Sequence, residues 1–263
     1  MTASVNKKAC NIGNQRNDRH AGAAHAGELR ALFSANEAFF LNALRLAEPT
    51  PSTAHTLESW SEPAVLAAWL QRYGDDIYRE HAGVKRDDKP LLSLWAQWYF
   101  GLLIPPLMLA LLKHPQGVDC SASAYLLDIH ETGRPAGFYL APAPLPGYQD
   151  ASACQRIEHL ITAHLRPVVD KLEALGALNG KLIWNNNGYL MYWYLTQLRP
   201  GMDSRVLDAL DTALFDCETL SDGSDNPLYR TVITRQAKRQ RRSCCQRYKL
   251  PGVEMCTTCT LAP

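Results

Sequence analysis

From Glu28 to Ala47 the apolar residues Leu29, Leu32, Phe33, Phe39, Phe40, Leu44 and Leu46 recur at roughly helical spacing, which predicts an amphipathic helix ended by Pro49-Thr50-Pro51. A second helix is predicted from an N-cap at Ser61, with Pro63 in its first turn, to about Tyr73, where Gly74 breaks or bends it. Leu91 to Leu112 carries no charged residue and is long enough to be a membrane-span candidate. Against spanning, Pro105-Pro106 removes two adjacent backbone donors, and Ser93 and Gln97 are polar. Two buried helices bent at the prolines account for the same hydrophobicity. At Ser123 to Ala141 the period changes to two: Tyr125, Leu127 and Ile129 alternate with Leu126, Asp128 and His130, and Gly133-Arg134-Pro135 turns the chain into Gly137-Phe138-Tyr139-Leu140, a β-hairpin.

A Pro-rich linker follows, and helix resumes at about Ser152, is kinked or split by Pro167 and stops before Gly176. Lys181 to Trp184 reads as a short buried strand, Asn185-Asn186-Asn187-Gly188 as a turn, and Tyr189–Leu198 and Ser204–Asp216 as helices. The predicted class is α+β, predominantly helical with a small antiparallel hairpin or sheet.

Composition changes this picture at the two ends. Residues 1–27 are almost without large apolar side chains and read as a flexible tail with no signal-peptide run. His20 and His25 in it read as solvated, and Cys10 as a free thiol. At 263 residues with 46% hydrophobic and 20% charged residues, the remainder has the composition of a soluble globular chain. A formal net charge of +1 argues against nucleic-acid binding through the overall field. No acidic residue occurs from Asn226 to Val253, while Arg230, Arg235, Lys238, Arg239, Arg241, Arg242, Arg247 and Lys249 accumulate there. The divisions expected are the tail at 1–27, a helical scaffold at 28–228, with a split near 113–145 into two subdomains, and a basic C-terminal segment at 229–263.

Chemistry concentrates in that last segment. Of eight cysteines, Cys10, Cys120, Cys154 and Cys217 are scattered, while Cys244, Cys245, Cys256 and Cys259 share one sixteen-residue window. Four thiolates in a short loop can surround a metal centre, and Cys-x2-Cys lets two sulfurs reach one ion. Cys244 and Cys245 are adjacent, with Cα atoms about 3.8 Å apart, so they need a turn to share an ion and otherwise reach toward different ones. Spacing leaves zinc and iron-sulfur equally open. A disulfide framework suits a secreted chain better.

Arg241-Arg242-Ser243-Cys244-Cys245-Gln246-Arg247-Tyr248-Lys249-Leu250-Pro251 with Cys256-Thr257-Thr258-Cys259 closely resembles the tail of the ferric-siderophore reductase family typified by FhuF, whose hallmark is Cys-Cys-x10-Cys-x2-Cys. The resemblance extends to the Trp60 region, Lys89 to Tyr99, Pro105 to Leu112, His130 to Arg134, Gly180 to Trp184 and Asp225 to Leu228, and so covers nearly everything after about residue 35. It implies that the four cysteines hold a [2Fe-2S] cluster, making 229–263 a cluster-binding segment. It further implies that the chain reduces hydroxamate-bound ferric iron in the cytoplasm.

Given that resemblance, the concentration of Trp184, Asn185, Tyr189, Tyr192 and Trp193 reads either as ordinary core or as a pocket whose aromatic and amide groups suit a bulky neutral chelate, with Trp184, Asn185 and Tyr189 as candidate siderophore contacts. Arg241, Arg242, Arg247 and Lys249 are candidates for docking an acidic electron donor or tuning the cluster potential, since cations favour the more negative reduced state. No Gly-x-Gly-x-x-Gly occurs, so a ferredoxin-like or flavin-dependent donor is expected rather than direct use of NAD(P)H. A monomer is expected, with no nucleic-acid partner and with peripheral contact to the cytoplasmic face of the inner membrane allowed by the long apolar stretch. Two other readings remain: a zinc-stabilised interaction module with a basic tail, and an iron-sulfur sensor of iron status.

Overall fold

The computed structural model describes residues 22–235, 237–256 and 258–261, so Cys10 and His20 lie outside the described residues. In chain order the elements are α1 (22–36), α2 (Phe40–Ala43), β1 (Leu44–Leu46), α3 (Leu57–Trp60), α4 (Pro63–Ile77), α5 (Asp88–Lys113), β2 (Tyr125–Ile129), β3 (Pro135–Leu140), α6 (Ala153–Leu160), α7 (Arg166–Ala174), α8 (Gly180–Leu198), α9 (Ser204–Phe215), β4 (Val232–Arg235) and β5 (Lys238–Arg241). A π-helical turn, Ile161–Leu165, joins α6 to α7 immediately before Pro167, where the sequence predicts a kink or a split.

The core is built around α5. The uncharged stretch forms one helix rather than two, running through Pro105-Pro106 and capped by the Asp87 side chain on the Lys89 amide. By length and composition this helix could cross a membrane, but 78% of its most apolar window is buried inside the protein, and Leu103 to Leu111 is enclosed on all sides. That burial is why an all-round apolar helix forms here. Because proline lacks an N–H, the carbonyls of Gly101 and Leu102 have no donor four residues on. Trp95 and Tyr99 pack with Trp60, and the Trp95 indole donates to the Gly133 carbonyl at 3.0 Å. Gly133 has φ +90°, and a side chain there would overlap the Trp69 carbonyl, so the hairpin turn sits directly on α4.

β2 and β3 form the predicted hairpin, and β1 joins it parallel to β3, pairing Leu44 with Phe138 and Leu46 with Leu140. The helix predicted for 28–47 is therefore corrected. Helix begins by residue 22, with His25 and Ala26 already buried, and its last residues are a strand. Leu44-Arg45-Leu46 alternates buried, half-buried, buried, a two-residue period that the helical count absorbed. α4 starts one residue later than predicted, with Glu62 at the N-cap position, and continues through Gly74, whose missing side chain makes room for the Arg86 guanidinium.

The strand and turn predicted for Lys181–Gly188 are likewise corrected, because both belong to α8, which is capped by Asn179 on the Lys181 amide. Gly188 is there because Thr231 packs against the helix. A Cβ at that position would meet the Thr231 hydroxyl and lie 2.7 Å from its Cβ. Gly188→Ala should gain about 1 kcal/mol in helix propensity and lose more, roughly 1–3 kcal/mol, to overpacking. Urea denaturation should show net destabilisation, partly rescued in the Gly188→Ala/Thr231→Ala double variant.

His164 is fully buried, with Nδ1 3.1 Å from the Cys120 carbonyl and Nε2 3.0 Å from the Tyr99 hydroxyl. Nδ1 donates and Nε2 accepts, a neutral ring, and burial pushes its pKa down to about 4. The unfolded chain binds this proton near pH 6.5, so the stability it contributes is full above that pH. It is lost as the pH falls toward 4, for a total of roughly 3 kcal/mol. Urea midpoints of wild type should fall over this window, and His164→Gln should flatten the fall.

Candidate metal centre and adjoining cleft

The cysteine tail is seated by the end of the β4–β5 hairpin. The Arg242 amide donates to the Thr231 carbonyl at 2.9 Å, and Thr231 in turn lies against α8. Upstream, Asn226 donates to the carbonyls of Ala213, Leu214 and Cys217, closing the end of α9. After Cys244-Cys245 the chain turns through Gln246 in the left-handed region, φ 65°. Its amide donates to Cys244 Sγ at 3.3 Å. This turn follows the adjacent pair at once, leaving Cys245 buried and Cys244 half-buried. Cys256 and Cys259 are joined by a tight turn, with the Cys259 amide 3.0 Å from the Cys256 carbonyl.

Cys245 Sγ and Cys256 Sγ lie 4.0 Å apart. Two thiolates on one tetrahedral metal with bonds near 2.3 Å would be separated by about 3.8 Å, so this pair is at the spacing of a shared ion. Burial first, then Cys245, push the Cys256 thiol up to about 11 against the pull of Arg241. Cys244 is likewise raised, chiefly by burial and then by Cys245 and Cys259, which puts Cys259 beside Cys244. A cation among crowded thiols relieves their mutual repulsion and stabilises their thiolate forms. The donor set fits a four-cysteine metal centre, with Cys245 and Cys256 as one pair and Cys244 and Cys259 as the other.

The charge around these sulfurs is unusual. Arg241 is only 5% exposed. Its Nη1 donates to Asn186 Oδ1 at 2.8 Å and its Nη2 to Cys256 Sγ at 3.3 Å, with the Tyr189 ring 5.3 Å away. Among the described residues no carboxylate pairs with it. A buried cation without a counterion costs several kcal/mol, and an anionic thiolate centre supplies the missing charge. The network continues inward, with Asn186 Nδ2 3.4 Å from Ser93 Oγ and that hydroxyl donating to the Cys245 carbonyl at 2.8 Å. Thus α5, α8, β5 and the tail meet at one polar node.

Beside the node, α5 and α8 leave a cleft of about 630 Å³ that reaches Cys256 and Thr258. Tyr189 lines it, whereas Trp184 and Asn185, the other two expected contacts, do not. Trp193, from the same aromatic concentration, lines it too, as do Asn186, Asn187, Trp98 and Gln97, which sequence reasoning missed. One available signal was Ser93 and Gln97, polar and four residues apart on a helix otherwise apolar, hence on one face. The basic residues divide by environment. Arg247 is half-buried in the cleft wall, and Arg235, Lys238, Arg242 and Lys249 are exposed. Arg239 is neutralised by Asp211 at 2.7 Å and Asp216 at 3.2 Å.

Two further histidines have local partners. His130 Nδ1 stands 2.9 Å from Thr132 Oγ1 at the hairpin end, and His159 pairs with Asp119 at 3.4 Å. His25 is corrected from solvated to buried, against His114 near Glu28. His114 Nδ1 accepts from the Gln116 amide, leaving its Nε2 proton directed at Glu28 rather than a lone pair for a metal.

Residues 93–239 match the family described as ferric iron reductase FhuF-like transporter, and residues 241–261 match the FhuF 2Fe-2S C-terminal domain, a span holding all four clustered cysteines. The chain is 46% identical over 236 residues, 90% of its length and 90% of the relative's, to the ferric siderophore reductase of Escherichia coli strain K12. With a helical scaffold, a small sheet and a cysteine tail organised in this way, the chain belongs to the FhuF ferric iron reductase family, and it carries that family's C-terminal 2Fe-2S domain.

Proposed function

We propose that this protein reduces the ferric iron of hydroxamate-type siderophores in the cytoplasm, with Cys244, Cys245, Cys256 and Cys259 as the ligands of its [2Fe-2S] cluster. The observation that carries this reading is the buried, carboxylate-free Arg241 hydrogen-bonded to Cys256, since such a cation fits a centre more negative than four neutral thiols. Bound there, a [2Fe-2S] cluster supplies one electron at a time. That matches the need: hydroxamate oxygens hold ferric iron tightly and ferrous iron weakly, so a single electron frees the metal and leaves the chelator intact.

The chain's own residues set the conditions. Arg241 donates an N–H to a thiolate sulfur, an interaction that strengthens as negative charge increases and so favours the reduced state. Ser93 and Asn186 hold the arginine and the Cys245 backbone in place. The exposed Arg235, Lys238, Arg242 and Lys249 form a cationic surface suited to steering an acidic ferredoxin-like or flavin-dependent donor.

Protein purified anaerobically should be red-brown, bleach with dithionite and recover its colour as a ferric trihydroxamate is converted to trappable ferrous iron. Colourless protein with stoichiometric zinc that also resists reconstitution with iron and sulfide would defeat the assignment. Cys244→Ser and Cys256→Ser should lose or destabilise the visible spectrum while Cys154→Ser retains it; normal spectra in both motif variants would rule out this ligand set. Arg241→Gln should lower the cluster midpoint potential by on the order of 50–100 mV, the equivalent of one charge-assisted hydrogen bond. Arg242→Gln should leave the potential nearly unchanged and instead slow reduction by an acidic donor at low salt. Equal potential shifts in both would show that burial of Arg241 is immaterial.

A further inference from the structure

The wall of the α5–α8 cleft has features that neither core packing nor the cysteine centre explains. Trp98 and Trp193 line it while 40% and 45% exposed, an unusual setting for two large aromatic side chains on one cavity. The Trp98 indole N–H is already bound to the Tyr73 hydroxyl at 3.0 Å and the Arg134 guanidinium lies 4.6 Å from the ring centroid, so its polar demand is met and the exposed remainder of the ring is apolar surface. Asn187, also in the wall, is 2% exposed, and among the described residues its Nδ2 has no hydrogen-bond partner. A buried amide donor left unsatisfied costs about 1–3 kcal/mol, a cost that a ligand acceptor would remove. On the facing helix, Gly101 and Leu102 line the same cleft, and their carbonyls are those deprived of helical donors by Pro105 and Pro106.

Resting on the reductase reading above, we propose that this cleft seats the ferric chelate. The ligand class is an amide- or hydroxamate-bearing complex whose own oxygens cancel the iron's charge. Its carbon shell packs on Trp98 and Trp193, and an oxygen accepts from Asn187. The cleft volume, about 630 Å³, is in the range of small-molecule sites. Among the described residues its wall contains no carboxylate that would draw a bare ferric ion, and it does contain Arg241 and Arg247. Cys256 belongs to the same wall, so a chelate seated there lies against a proposed cluster ligand. A reduced cluster held by the four cysteines would supply one electron to the seated Fe(III) and be oxidised by one, Fe(II) would leave, and an electron-donor protein would restore the electron.

Gly101 provides the test, because a Cβ added there meets nothing within 4 Å among the described residues. Gly101→Phe should fill the cleft without disturbing the helix. The probe is the gallium(III) complex of a trihydroxamate, which binds as the ferric complex does but cannot be reduced, titrated into cluster-loaded protein by tryptophan fluorescence. Dissociation constants should rise at least tenfold in Gly101→Phe and in Trp193→Ala, with visible spectrum and midpoint potential as in wild type. Gln149→Ala, in a separate cleft, should bind normally. Wild-type affinity in Gly101→Phe, with ferric chelate still reduced, would overturn the placement while leaving the reductase reading intact. A cluster-loaded wild type that neither binds the gallium complex nor reduces the ferric one would overturn both.

Discussion

A guanidinium buried without a carboxylate is the constraint on which the functional end of this molecule depends. Arg241 is held by the Asn186 amide on one side and the Cys256 sulfur on the other. The network passes from Asn186 through Ser93 to the backbone of Cys245. Its members come from α5, α8, β5 and the tail, with Ser93 and Cys245 separated by 152 positions in the chain. A cation in such a place is tolerable only opposite negative charge. The geometry therefore links the seating of the cysteine tail to the presence of a negative centre among its sulfurs, in the way metal binding and local folding are commonly coupled.

Around that node the scaffold performs two tasks with the same helix. One face of α5 carries the aromatic core of Trp95 and Tyr99 against Trp60, and another, bearing Gln97, Trp98 and Gly101, is the wall of a cleft. The double proline belongs to both. It costs the helix two hydrogen bonds, a loss that dense packing from Leu103 to Leu111 offsets, and the residues whose carbonyls lose their donors, Gly101 and Leu102, line the cleft. α8 is arranged similarly: Gly188 admits Thr231 on one side, while Asn186, Asn187 and Tyr189 serve the node and the cleft. The proposed cluster ligands thus sit between an aromatic cleft and a hairpin whose exposed cations face solvent.

The sequence by itself determined the features that depend on local period and spacing. The alternation of Tyr125, Leu127 and Ile129 specifies a strand, and the Gly133 turn closes the hairpin. The cysteine clustering singles out Cys244, Cys245, Cys256 and Cys259 as candidate metal ligands, while their spacing leaves zinc and iron-sulfur equally open. The Leu91–Leu112 run is identifiable as core once its prolines and two polar residues are weighed against spanning. Short patterns misled where two periods fit one segment: Leu44-Arg45-Leu46 continued a helical count, and three asparagines before a glycine imitated a turn.

Only the tertiary structure decided which of the chemically similar residues do what. Arg239, Arg241 and Arg242 are near neighbours in the sequence. One is neutralised by Asp211 and Asp216, one is buried against a thiol, and one is exposed. The aspartates and Asn186 that separate their roles lie more than twenty positions away. Tyr189 reached the cleft, with Asn186 one turn before it and Trp193 one turn after it on the same face of α8, while Trp184 and Asn185 do not line it. Charge compensation, close approach and cavity shape arise between distant segments, so they become legible when the chain is folded and those segments meet.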